Sequence, residues 1–177
     1  MKHQSRLLNM ILAALFLALA YTLPFLTGQI PTIGAMLCPM HIPVLLCGFL
    51  CGWPWGLAVG LVAPLLRSFT LGMPMLFPMA IAMSAELAVY GAAAGLLHSL
   101  LPKKKPMIYL SLLASMILGR LVWGGAMFLL LALNSGRFTA AAFLSGALTG
   151  AIPGILLQIA LIPPVIMLLE RLKGDQA

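Results

Sequence analysis

The chain has 177 residues, of which 63% are hydrophobic and only 7% charged, and its mean hydropathy is +1.13. Soluble domains carry about 45–50% apolar and about 25% charged residues, so the composition excludes a soluble fold and implies a polytopic membrane protein. Ten Lys and Arg against three Asp and Glu give a formal net charge of +7, but with no soluble surface on which basic residues could cluster, nucleic-acid binding is excluded as well.

At roughly 20 residues per span plus short turns, the length accommodates about six spans and no separate soluble domain. Residues 1–177 are therefore read as one transmembrane domain. Apolar runs broken by Pro, Gly and Lys predict spans near 7–25, 34–52, 55–71, 76–98, 107–133 and 140–168. An even count places both termini on one side of the membrane. Lys2, Arg6, the Lys103-Lys104-Lys105 run, Arg171 and Lys173 all fall on that side, which makes it cytoplasmic, while only Arg67 and Arg137 lie near the other face. The expected architecture is all-α: a six-helix, multi-pass transmembrane bundle with both termini cytoplasmic.

Lys2 and Arg6 ahead of an apolar run resemble the start of a signal peptide. The run from Leu7 to Phe25 is as long as a span and has no small-residue cleavage site, so it is read as the first helix. It carries Ala14-x-x-x-Ala18, two small side chains one turn apart that allow close helix approach, a pattern Ala-rich spans also produce by chance. The following segment, Leu26 to Pro39, is too apolar to hang free in water and is expected to fold back over the bundle. The second and third spans are short, with Pro43 and Pro64 in their interiors and a Trp53-Pro54-Trp55 turn between them. Such helices are bent and packed inside a bundle, a need that packing alone explains as well as a site does.

Cys38, Cys47 and Cys51 are an odd set in one apolar region, which argues against a disulfide framework. With His41 they resemble metal ligands. At 100° per residue, however, Cys38 and His41 point one way and Cys47 and Cys51 nearly the other, so no metal site and no cofactor are expected. His41 is placed at the outer mouth, in contact with a ligand or with water.

The fourth span sinks a carboxylate, Glu86, into the apolar stretch Phe77 to Leu97, at a cost of about 2.5–3.5 kcal/mol if the charge lies at mid-bilayer. Tyr90 shares its helix face. In the fifth span Arg120 is the only basic residue inside an apolar run. Counting along the helices puts Glu86 roughly 15 Å from the outer end and Arg120 roughly 20 Å from the inner end, both near mid-membrane. Two readings of this pair stand open: a structural clamp, or the wall of a ligand cavity in which Trp123 lies one turn outward and Gly124-Gly125 gives space. Met73, Met75, Met79 and Met83 are read as core filler. The chain has no P-loop, no H-E-x-x-H, no G-x-S-x-G and no second buried carboxylate. It is not expected to be an enzyme, and binding or transport remains.

The stretches Ala14-Leu-Phe-Leu-Ala18, Pro39-Met-His-Ile-Pro43 to Gly52, Phe77-Pro-Met-Ala-Ile-Ala-Met-Ser-Ala-Glu86-Leu-Ala-Val-Tyr-Gly91 and Ile152-Pro-Gly-Ile-Leu-Leu-Gln158, with the size and span count, carry a resemblance. The chain resembles the S components, the substrate-binding membrane subunits of energy-coupling factor (ECF) vitamin transporters. That resemblance implies a high-affinity capture subunit for a small vitamin-like or nucleobase-like molecule. Its implied partners are a transmembrane coupling subunit and two cytoplasmic ATPase subunits, contacted through the first three helices and the face of Ala14 and Ala18. The later helices and the first outer loop would enclose the ligand, and the subunit would topple in the membrane to deliver it. The expected pocket is Glu86, Tyr90, Arg120, Trp123 and Asn134, with His41, Arg67 and Gln158 as further candidates. Glu86 would accept from a ligand donor, Arg120 would hold Glu86 or a ligand acid, and Trp123 and Tyr90 would stack on a ring. The alternative from another class is a self-contained proton-coupled secondary transporter using Glu86.

Overall fold

The computed structural model describes residues 2–27, 37–102, 104–133 and 152–174, and every regular element among them is helical. Helix α1 (Lys2–Thr22) runs into a 3-10 turn at Leu23–Thr27, and α2 (His41–Cys51) and α3 (Trp53–Leu71) follow. A π-helical turn at Leu76–Ala80 leads into α4 (Ile81–Leu100), and α5 (Lys105–Leu133) and α6 (Ile152–Gly174) complete the described chain. Among the described residues five stretches are long and apolar enough to cross a membrane: Arg6–Leu26, Trp53–Leu71, Leu76–Leu100, Lys105–Leu133 and Ile152–Leu169.

The second expected span differs. Helix α2 has 11 residues and rises only about 16 Å, against a hydrocarbon core of about 30 Å. It starts at His41, after a turn at Pro39 and Met40, rather than at residue 34. Pro43 consequently lies in the first helical turn, where the missing N–H leaves no intrahelical bond unmade, and it does not bend the helix interior as the sequence suggested. Pro64 does sit inside α3, and Pro163 and Pro164 inside α6. Between α2 and α3 the chain turns at Gly52, whose φ of 94° is open to glycine and strained for other residues. Trp53, Pro54 and Trp55 form the first turn of α3 rather than the link, with Pro54 where a helix start accepts it. The expected last span begins outside the described residues.

Helix α4 is the centre of the arrangement, packing most extensively against α3 and α5 and also against α2. Glycines make this possible. Gly48 and Gly52, Gly56 and Gly60, and Gly91 and Gly95 are three small-x-x-x-small pairs, and all of their members but Gly52 stand directly against the backbone of a neighbouring element. A Cβ on Gly48 or Gly56 would run into the Gly91 carbonyl, one on Gly60 into the Leu87 carbonyl, and one on Gly95 into the backbone nitrogen of Trp53. Backbones this close gain van der Waals contact that lipid cannot replace. Around the seam Leu45, Leu87, Leu112, Ile162 and Ile166 are fully buried, while Leu8, Ile11, Ile117, Leu121 and Phe128 are exposed on the outside. An apolar exterior over an apolar core is the surface a bilayer requires.

Candidate functional site

Helices α4 and α5 are joined by the short connection after Leu100, so they run antiparallel and bring Glu86 and Arg120 to the same level. Arg120 Nη1 lies 3.0 Å from Glu86 Oε1, and the Glu86 side chain is 1% exposed. The approach depends on Gly119: a Cβ there would stand 3.1 Å from the ring of Tyr90 and 3.2 Å from the Glu86 carbonyl oxygen. Tyr90, one turn along from Glu86, is fully buried with its hydroxyl in hydrogen-bonding reach of the carboxylate.

The third helix at this centre is α2, and its shortness is what brings it there. Because the helix begins inside the bundle, its first residue, His41, is buried rather than exposed at an outer mouth, with Nε2 3.5 Å from Glu86 Oε1. The imidazole stands edge-on to Tyr90, ring centroids 5.1 Å apart at 70°. The amino-terminal end of a helix carries partial positive charge, which suits a carboxylate as neighbour. Just before α2, Cys38 adopts a left-handed φ of 47° and its Sγ accepts a hydrogen bond of 3.6 Å from Arg120 Nη2.

Arg120 is thus held on two sides, by Glu86 and Cys38, and among the described residues Arg120 Nε and His41 Nδ1 have no hydrogen-bond partner, while Glu86 Oε1 and His41 Nε2 meet only in ion-pair contacts that lack hydrogen-bond geometry. A buried polar atom left unmatched costs about 1–3 kcal/mol. Several within one cluster are more than a purely structural clamp needs. Each such atom calls for a partner, supplied by residues outside those described or by a bound molecule.

The other expected residues fall elsewhere. Trp123 is buried one turn beyond Arg120, packed with Ala82 and Met127. Arg67 is occupied away from the cluster: its Nη1 donates to the Tyr21 carbonyl at 2.7 Å and its guanidinium lies 5.0 Å from the Phe25 ring centroid, tying α3 to the end of α1. Gln158 is buried on α6 and is not among the residues paired with Glu86 or Arg120. Asn134 lies outside the described residues. Ala14 and Ala18 are exposed on α1, whose buried side is formed by Ala13, Phe16 and Ala20. Among the described residues no group of three His, Cys, Asp or Glu side chains is arranged to hold a metal ion.

Sequence reasoning missed Cys38, although the shared direction of Cys38 and His41 at a spacing of three was the signal that joins them to one centre. The glycine pairs that seat α2 and α3 on α4 were also readable as small-x-x-x-small patterns, and only Ala14 and Ala18 were so read.

No curated protein and no solved structure matches the chain. A family model described as "ECF transporter, substrate-specific component" matches residues 8–168, nearly the whole length and all the helices that build the Glu86 centre. With apolar helices long enough to cross a membrane and a buried polar cluster between them, this membrane protein belongs to the family of ECF transporter substrate-specific components.

Proposed function

We propose that the chain is the capture subunit of an ATP-driven uptake transporter in a bacterial plasma membrane, holding a small vitamin-like or nucleobase-like heterocycle at the Glu86 centre. Family membership makes it a substrate-specific transporter subunit rather than an enzyme. The observation that supports the site is the convergence of buried polar groups on Glu86, Arg120 and His41 whose hydrogen bonding is incomplete among the described residues. Glu86 would accept from a ligand N–H or O–H. Arg120 Nε and His41 would serve a ligand carbonyl or ring nitrogen. Tyr90 would face the ring, with Trp123 and Asn134 as further candidates. Gln158 remains a candidate from α6, whereas the partners of Arg67 give it work outside the pocket.

Energy would come from a transmembrane coupling subunit carrying two cytoplasmic ATPases, docked on the α1 face that exposes Ala14 and Ala18. With both termini cytoplasmic, the polybasic turn before α5 would lie on the ATPase side. The test of the site is ligand binding by the purified chain: Glu86→Gln and Arg120→Gln are each expected to weaken affinity by tenfold or more, about 1.4 kcal/mol. Normal binding by the folded variants would reduce the pair to a clamp. A self-contained proton-driven carrier would instead transport without ATPases, so uptake that vanishes when the coupling module is withheld separates the two.

A further inference from the structure

We infer that the ligand is electrically neutral and presents a lactam or amide edge, an N–H donor beside a carbonyl acceptor; this rests on reading the Glu86 centre as the capture site.

Charge is the first ground. Glu86 is the only acidic residue before Glu170 in the sequence, and it stands 3.0 Å from Arg120, so the charges of the centre cancel within it. A cationic ligand would find no carboxylate there but Glu86, and engaging it would strip Arg120 of its partner. An anionic ligand would have to draw Arg120 away from Glu86. The other buried guanidinium described, Arg67, is engaged by the Tyr21 carbonyl and the Phe25 ring. Either exchange leaves a buried charge uncompensated, the costliest outcome in a dry interior. A neutral ligand leaves the pair whole.

Hydrogen bonding is the second ground. Among the described residues the groups with hydrogen-bonding capacity to spare are Arg120 Nε, a donor, the His41 ring, which in its neutral form offers one donor and one acceptor, and Glu86 Oε1, an acceptor whose contact with Arg120 Nη1 leaves it further lone-pair capacity. Donor and acceptor from the protein therefore lie side by side. Their complement is a ligand edge with an N–H next to a C=O, the N–H directed at the carboxylate oxygen and the carbonyl at Arg120 or His41. His41 and Tyr90, edge-on to each other at the centre, are the aromatic side chains that would flank a flat ring. A site built around such bonds discriminates strongly against analogues that lack one partner, because its own buried groups are then left unmatched.

The test uses the full chain in detergent and compares probes matched in shape by thermal shift and calorimetry. Nicotinamide is set against nicotinate, its anionic counterpart, and 1-methylnicotinamide, its cationic one. Uracil is set against orotate, and hypoxanthine against 1-methylhypoxanthine, which lacks the lactam N–H. The expected result is that at least one neutral amide-bearing ring binds about tenfold or more tightly than its charged or N-methylated counterpart. In Glu86→Gln, where Arg120 is released, preference should move from uracil toward orotate. A charged probe that binds the native chain as well as its neutral partner overturns the neutral assignment and leaves the capture reading standing. Equal binding of hypoxanthine and its N-methyl derivative overturns the lactam edge. Silence from every probe overturns the ligand class, and native mass spectrometry of the same preparation then separates the failures: a retained small molecule keeps the capture reading, and a protein carrying none counts against both.

Discussion

Removing one member of the Glu86–Arg120 pair should be far more damaging than removing both. The N–O separation is 3.0 Å with Glu86 1% exposed, so at an effective dielectric constant near 20 the attraction is about 5.5 kcal/mol. Arg120→Gln deletes that attraction and leaves Glu86 with His41 and Tyr90, neither of which carries a permanent positive charge. Losing one partner of a buried pair costs about 3–5 kcal/mol, a range that ends just below the Coulomb figure. Glu86→Gln strands the guanidinium in the same way, softened by its hydrogen bond to Cys38. The double variant Glu86→Gln/Arg120→Gln buries two amides that can bond each other, and replacing a whole buried pair by neutral groups is often close to neutral. A double-mutant cycle on thermal unfolding in detergent is therefore expected to give a coupling of about 3 kcal/mol, the double variant being more stable than either single one. Additive losses, with each single variant costing under about 1 kcal/mol, would be the behaviour of a solvated pair and would refute a desolvated centre between α4 and α5.

Three further expectations follow from the packing. Gly91→Ala drives a Cβ into the Gly56 carbonyl and should lower stability by about 1–3 kcal/mol, whereas Gly125→Ala, with nothing within 4 Å of the added carbon, should leave the unfolding temperature unchanged or raised. Arg67→Gln loses a charged hydrogen bond to the Tyr21 carbonyl, worth about 1.5–3 kcal/mol, so its unfolding temperature should fall while ligand affinity changes little. Ala14→Trp or Ala18→Trp, both on the exposed side of α1, should abolish co-purification with the coupling subunit and uptake while calorimetric ligand binding persists; binding lost together with assembly would contradict a docking role for that face.

How far the sequence reaches is clearest at the Glu86 centre. A lone carboxylate and a lone guanidinium in consecutive apolar runs have few ways to be buried, and simple counting along two antiparallel helices put them level, which is where they are. Charge in lipid is so costly that the number of arrangements collapses, and that made the pair legible. His41 was different. Its position depends on where α2 begins, and helix starts are set by local turns that hydropathy does not register: the run around residues 34–52 reads as one apolar stretch, yet its helix starts at His41 and is too short to cross the bilayer. The same blindness hid the glycine seam, because a hydropathy window scores Gly48, Gly56 and Gly91 as weakly apolar filler when their role is the absence of a side chain. Arg67, a further pocket candidate from the sequence, has partners that hydropathy and charge did not indicate: a carbonyl at the end of α1 and an aromatic ring. The distinction between Arg67 and His41 is thus one of completeness: the first has its partners within the fold, while among the described residues both ring nitrogens of the second are buried without a hydrogen-bond partner, and it is this shortfall, more than charge or depth, on which the proposed recognition role of the centre rests.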